Sequence, residues 1–420
     1  MDSYALGARI RALRVSRGLS QLEVARFLGM SRPAITLMES GKRSVSTLEL
    51  TRLAEVYEVS VLRILSDAER ASDDDDALAT LFRVAPSLQT DAGVRTQLAR
   101  CLDICGEGTR LGRVLGCPGS LALPEYHLPT PSGAGAAMCQ GFSVAAQERR
   151  RLDLGSGPIA DVAGIVGDQG VWVSGVRLPE DVSGMCLRHA SVGVAILVNA
   201  AHPHVRSRLS YAHEFGHALM DRRDAVMVTG ATNSSALSEK RANAFAAAFL
   251  TPEEAVRATL RSMGKGQPSR HGIVALDVAT GGESSGHSRP EAGSQRLVYQ
   301  DVARIAHRFG VSYETAAYRL RSLRMVAVEE CRDLLARASS GQEYLRVLGL
   351  SGNHDRPKDE CGPARHLECQ VAHLALEAYR RERISRRCLR DLTKTLDLPW
   401  YQLSKLAEAA TNAHHGVLPR

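Results

Sequence analysis

Apolar residues recur at helical spacing along most of this chain, and a few short β-branched runs interrupt them. From Leu6 to Leu65 the pattern resolves into five short helices separated by turn signals. Ile10, Leu13, Val24, Ala25, Leu28, Ile35, Met38, Leu50 and Leu53 supply a miniature core. Ser20 and Ser31 stand where N-cap hydroxyls would serve the free amides of the second and third helices, and Gly29 permits the tight turn between them. Ala77 to Leu111 reads as helix and Gly116 to Gly135 as loop. Val171-Trp172-Val173 and Val192 to Val198, the latter closed by Asn199, read as strands, with a turn at Leu178-Pro179. Ala212, Phe215, Ala218 and Leu219 then define one apolar helical face. Glu239 to Leu250 forms a second amphipathic helix that Thr251-Pro252 ends. Met263 to Ser294, rich in Gly, Ser, His and Pro, reads as a flexible insertion. Helix returns from Gln300 to Met325, with Val302, Ile305, Ala306, Phe309, Ala316, Leu320 and Leu323 on one face and Gly310-Val311-Ser312 as a turn. Gln370 to Ala410 is again helical and is basic around Arg380 to Arg390, which suits a scaffold or dimerisation element.

The chemistry concentrates in Ala212-His213-Glu214-Phe215-Gly216-His217-Ala218-Leu219-Met220, an H-E-x-x-H segment. Histidines at i and i+4 leave the same helical face and can give two nitrogens to one metal ion. The glutamate between them is placed to take a proton from water held at that metal, so Glu214 is the candidate general base. A catalytic zinc usually takes a third protein ligand and keeps a fourth position open for water. Glu239, 26 positions after His213, offers that ligand. The run at Val192 to Val198 is expected to border the cleft, where a strand edge could hold an extended peptide by backbone pairing. The bland alternative is a helix whose histidines satisfy core hydrogen bonds. His189, His202 and His204 lie in a loop-like stretch and are read as solvated.

Two resemblances sharpen these readings. R-x-x-x-A-H-E-x-G-H-x-L from Arg208 to Leu219, followed by E-x-x-A-N-x-F-A-x-x-x-L-x-P from Glu239 to Pro252, resembles the ImmA/IrrE family of metallopeptidases. The likeness covers roughly Ala145 to Pro252, with Gln147-Glu148-Arg149 expected to begin a helix. It implies a zincin-like domain with His213, His217 and Glu239 as zinc ligands and Glu214 as base. It also implies regulatory proteolysis of repressors or related DNA-binding proteins, and a helical module that packs on the peptidase at about Gln300 to Met325. Arg319, Arg321 and Arg324 keep a DNA contact open there.

The amino-terminal stretch resembles a Cro/C1-type (XRE) helix-turn-helix domain. The matching residues run from Arg9 to Arg14 and from Gly18 to Ala25, then Leu28-Gly29-Met30-Ser31, Ile35, Met38, Glu39, Gly41 and Arg43. The resemblance makes Arg32 to Glu39 the recognition helix in a major groove. Arg32 and Thr36 would face base edges, and Gln21, Lys42 and Arg43 would face phosphates. Pro33 removes one base-reading side chain. Arg9, Arg11, Arg14 and Arg17 add a basic first helix, which favours DNA over the alternative of a protein-interaction module that has lost it.

The global numbers fit this division. The chain has 420 residues, 44% of them hydrophobic, which allows two or three domains. A net charge of +7 suits a polyanionic partner. Nine cysteines without a Cys-x-x-Cys pair point to free or buried thiols. No signal segment or membrane-length apolar run is present, so a cytoplasmic protein is expected.

The fold class expected is mainly α: an N-terminal five-helix helix-turn-helix domain, an α+β zincin-like metallopeptidase domain with a small sheet, and a helical C-terminal region. The expected divisions are 1–67 for DNA binding, 68–140 for a linker with the acidic run Asp73 to Asp76 and a variable helical region, and 141–262 for the peptidase core. They continue with 263–297 for the insertion, 298–335 for the helical module and 336–420 for the C-terminal helices. The whole reads as a DNA-binding transcriptional regulator with a zinc-dependent endopeptidase. Its partners would be double-stranded DNA and a repressor of its own type, or its own linker, and a homodimer is possible. The alternatives are a metal-responsive transcription factor without proteolysis, and a toxin-antitoxin or phage-defence component.

Overall fold

The computed structural model describes residues 3–16, 19–57, 61–65, 78, 81–82, 84–116, 123–230, 236–267, 271–276, 278–279, 281–350 and 365–415. Arg17 and the acidic stretch from Ser66 to Asp76 lie outside them. Five helices open the chain: α1 (Ser3–Ser16), α2 (Gln21–Leu28), α3 (Arg32–Glu39), α4 (Thr47–Val56) and α5 (Val61–Leu65). All nine expected core residues are buried there, joined by Ala54, Tyr57 and Ile64. Ser20 forms a full capping box with Glu23, and Gly29 takes φ 66°. Ser31 occupies the N-cap of α3 without a side-chain hydrogen bond, and the Ala34 N–H donates to its carbonyl instead.

The rest of the described chain is built around a four-stranded sheet. Its elements in order are α6 (Ala92–Leu115), α7 (Ala134–Arg151), α8 (Val162–Gly167), β1 (Trp172–Val176), β2 (Val182–His189), β3 (Gly193–Asn199), α9 (His204–Met220), β4 (Val226–Gly230), α10 (Leu237–Leu250) and α11 (Glu253–Ser262). A hairpin, β5 (His271–Leu276) and β6 (Glu283–Ser288), follows. The last helices are α12 (Tyr299–Phe309), α13 (Tyr313–Ser322), α14 (Val328–Leu335), α15 (Ala338–Val347), α16 (His366–Arg380), α17 (Arg386–Thr395) and α18 (Trp400–His415). The hairpin gives regular structure to the stretch expected to be a flexible insertion. The sequence Glu-Ser-Ser-Gly-His-Ser disguised β6, since it holds no apolar residue.

The sheet order is β1-β3-β2-β4, with β1 parallel to β3 and the other pairs antiparallel. Every residue of β3 is buried. Its side chains alternate between two cores. Val194, Ile196 and Val198 face a core built with α7 to α15, while Ala195 and Leu197 face one built with α6 and α16 to α18. The run from Val192 to Val198 is therefore an interior strand, not the edge bordering a cleft; the edges belong to β1 and β4. Asn199 ends β3 at 0% exposure. Its Nδ2 donates to the carbonyls of Leu178, Pro179 and Val182, and its Oδ1 accepts from the N–H groups of Leu178 and Ala201.

Three buried arginines tie helix ends together. Arg149 donates to the carbonyls of Phe249, Gly155 and Gly157. Arg208 donates to those of Ile159, Ala160 and Gly310, and Arg319 to that of Thr251. Gln147-Glu148-Arg149 ends a helix and does not begin one, because α7 starts at Ala134. Its small residues concealed it: Gly141 lies so close to α10 that a Cβ there would come within 2.3 Å of the Arg241 carbonyl oxygen. Arg319 is spent on packing and not on DNA. Among the described residues no helix is long and apolar enough to cross a membrane.

Candidate functional site

The middle of α9 is almost entirely buried, so its polar residues face one another. His213, His217 and Glu239 converge from α9 and α10 at 4%, 1% and 4% exposure. His213 Nε2 lies 3.0 Å from His217 Nε2 and 3.2 Å from Glu239 Oε2, and His217 Nε2 lies 3.4 Å from Glu239 Oε1. Ligand atoms about 2.0–2.1 Å from a tetrahedral zinc sit about 3.3 Å apart, so the triangle has the size a zinc ion needs. Each histidine also has its far nitrogen fixed. His213 Nδ1 is 3.0 Å from Asn243 Oδ1, and His217 Nδ1 is 2.8 Å from Asp221 Oδ2. Arg241 in turn pairs with Asp221, holding that carboxylate toward the ring.

Burial opposes the charges here, and the pairing wins. It would raise the Glu239 carboxyl, but hydrogen bonds from His213 and His217 bring it down to about 2. It would lower His217, but the bonds to Asp221 and Glu239 raise it to about 10. Glu214 behaves differently. It is fully buried, and neither of its oxygens has a hydrogen-bond partner. Burial pushes its pKa up against the opposing charges of His213 and His217, and the Thr229 hydroxyl on β4 faces it without closing a hydrogen bond. Its other wall is β2, where a Cβ on Gly184 would come within 3.0 Å of Glu214 Oε1. An unpaired buried carboxylate beside a metal-sized triangle is the arrangement a general base requires.

Sequence reasoning missed Asp221, Arg241, Asn243 and Thr229. Asp221 and Asn243 follow His217 and Glu239 by four residues, so helical spacing could have found them. Tyr211, two residues before His213, packs into the core at 2% exposure. His202 and His204 are half-buried, with ring nitrogens shielded from water, and burial lowers the His202 pKa.

The second candidate face is α3. Arg32 and Thr36 are exposed on it, and Lys42 is exposed just beyond. Gln21 is engaged within the domain: its Nε2 donates to Glu39 at 2.8 Å, and its Oε1 accepts from Thr36 at 3.2 Å. Arg43 lies 2.7 Å from Glu49. Of the basic residues expected on the first helix, Arg14 pairs with Glu39 at 2.6 Å, and Arg9 is 5% exposed with Nη1 on the Leu65 carbonyl. Both hold the domain together.

Comparison with known proteins gives two family matches, helix-turn-helix over residues 10–64 and IrrE N-terminal-like domain over residues 177–271. The chain joins an XRE-type helix-turn-helix domain to an IrrE-type domain. The second of these domains has a metallopeptidase-like fold. The chain is similar to a propionyl-CoA carboxylase regulator of Cereibacter sphaeroides, at 40% identity over 20% of this chain and 18% of the relative. It is also similar to the antitoxin PezA of Streptococcus pneumoniae, at 33% over 18% of this chain and 48% of the relative. A third likeness is to the cryptic phage CTXphi transcriptional repressor RstR of Vibrio cholerae, at 33% over 19% of this chain and 71% of the relative. The chain thus spans less than half the length of the first two.

Proposed function

We propose that this IrrE-type fusion is a zinc-dependent endopeptidase as well as a DNA-binding regulator, and that it cleaves a repressor of its own helix-turn-helix type. The observation that carries this reading is Glu214, whose buried carboxylate has no hydrogen-bond partner. A purely structural metal site needs no such group, and burying it without a partner is costly. His213, His217 and Glu239 would hold the zinc, and when bound it supplies Lewis-acid polarisation of the scissile carbonyl. Glu214 takes the proton of the attacking water and passes it to the leaving amine. β4, the edge strand on which Thr229 faces Glu214, would run beside a bound extended peptide. Arg32 and Thr36 would read base edges, and Lys42 and Arg43 phosphates.

The near-complete burial of the cluster favours a second reading, a metal-responsive regulator without proteolysis. One comparison separates them. Wild type and Glu214→Gln are each incubated with zinc and a purified repressor resembling residues 10–64, and zinc content is measured in parallel. Proteolysis predicts about one zinc per chain in both proteins and cleavage by wild type alone. Equal survival of every repressor tried, with zinc bound, would leave the metal-responsive reading.

A further inference from the structure

The turn between α2 and α3 has a definite signature. Gly29, at φ 66°, donates its N–H to the Arg26 carbonyl, Met30 donates to that of Ala25, and the N-cap Ser31 follows two residues after the left-handed position. The same pattern recurs twice. At Gly310, φ 61°, the bonds run to His307 and Ala306, and Ser312 caps α13. At Asp397, φ 52°, they run to Lys394 and Thr393, and the Pro399 carbonyl accepts from Gln402 and Leu403 as α18 opens. Two other helix junctions also carry left-handed residues, Arg324 and Glu382, but their N-caps, Ala327 and Ser385, come three residues later.

The buried positions repeat in step. Val24, Ala25, Leu28 and Ile35 correspond to Ile305, Ala306, Phe309 and Ala316, and to Leu392, Thr393, Leu396 and Leu403. What differs is the outer face. The middle copy is closed, because Tyr313 is 6% exposed with its hydroxyl on the Leu334 carbonyl, and Arg319 is buried. The last copy is open. Tyr401 is 68% exposed, Gln402 and Lys405 are exposed beside it, and α17 exposes Arg387, Arg390 and Lys394. From Arg380 to Leu406 the sequence holds eight basic residues and three acidic ones.

We propose that α16 to α18 form a second DNA-binding helix-turn-helix. Here α18 enters the major groove of a duplex, with Gln402 and Lys405 at base edges and Arg387, Arg390 and Lys394 at phosphates. Lys394 lies 4.0 Å from Asp391, a surface pairing weak enough to yield to a phosphate.

The test uses the full chain, so that the amino-terminal domain contributes equally to every protein compared. Affinity for a random-sequence duplex is measured across salt concentrations. Replacing Arg387, Arg390 and Lys394 with Ala should reduce the slope of log affinity against log salt by about 2–3, at roughly 0.9 per phosphate contact. Far-UV circular dichroism should be unchanged. An unchanged slope overturns the proposal, and a lower molar mass for Leu406→Asp in light scattering would then assign the face to a second copy of the chain. Gln402→Ala with Lys405→Ala tests base reading. Duplexes selected from a random pool should lose one of two enriched elements, and identical selected sequences would remove those two residues from the base edges.

Discussion

At the scale of single residues, the metal cluster is made of groups whose protonation depends on one another. In the metal-free protein His217 is raised to about 10, so it carries a proton through the neutral range that zinc must displace. Zinc affinity should therefore climb from pH 6.5 toward about 10, by about tenfold per pH unit for the one proton released. Competition with a chelator at several pH values would show it, and a flat profile would contradict the protonated histidine. Asp221 fixes the ring from behind. Asp221→Asn should weaken zinc binding by about 10–100-fold while leaving the fold intact. Unaltered affinity in the same competition would mean that the ring is held by packing alone.

At the scale of elements, α9 and α10 must stay close for the triangle to exist. Gly216 makes that possible, since a Cβ there would come within 3.0 Å of the Phe245 ring. Gly216→Ala should push the helices apart and lower zinc content in elemental analysis well below one per chain. Full occupancy would show that Phe245 can give way. The proposed ligands and base were legible in the sequence because H-E-x-x-H and the distant Glu239 follow helical spacing within strongly apolar surroundings. Asp221 could be read from its spacing after His217, but Arg241 was harder to see, since it acts through a contact between helices that spacing along either one does not reveal. α7 was obscured for a related reason. Its Gly- and Ala-rich beginning looks like loop, and only its packing on α10 explains why small residues are needed. β1 and β3 were found as strands, but their pairing was not, because strand order is fixed by long-range contacts.

At the scale of the whole molecule, Arg208 connects the metal helix to the junction between α12 and α13 and to the segment before α8. Removing it would leave the buried carbonyls of Ile159, Phe309 and Gly310 without this donor. Arg208→Ala should destabilise the IrrE-type region by about 3 kcal/mol or more, at roughly 1–3 kcal/mol for each unsatisfied group. Denaturant unfolding measures this, and a loss under 1 kcal/mol would mean that water replaces the guanidinium.

The two cores on opposite faces of the sheet also impose an order in time. The apolar side of α6 is covered by α16, which lies some 250 residues further along the chain. At about 5–20 residues per second, a ribosome needs tens of seconds to deliver that cover. During that interval the amino-terminal domain has already emerged, while Leu98, Leu102 and Leu111 wait for a partner. A nascent or prematurely terminated chain would thus present a folded DNA-binding head on a body that chaperones and proteases recognise as unfinished.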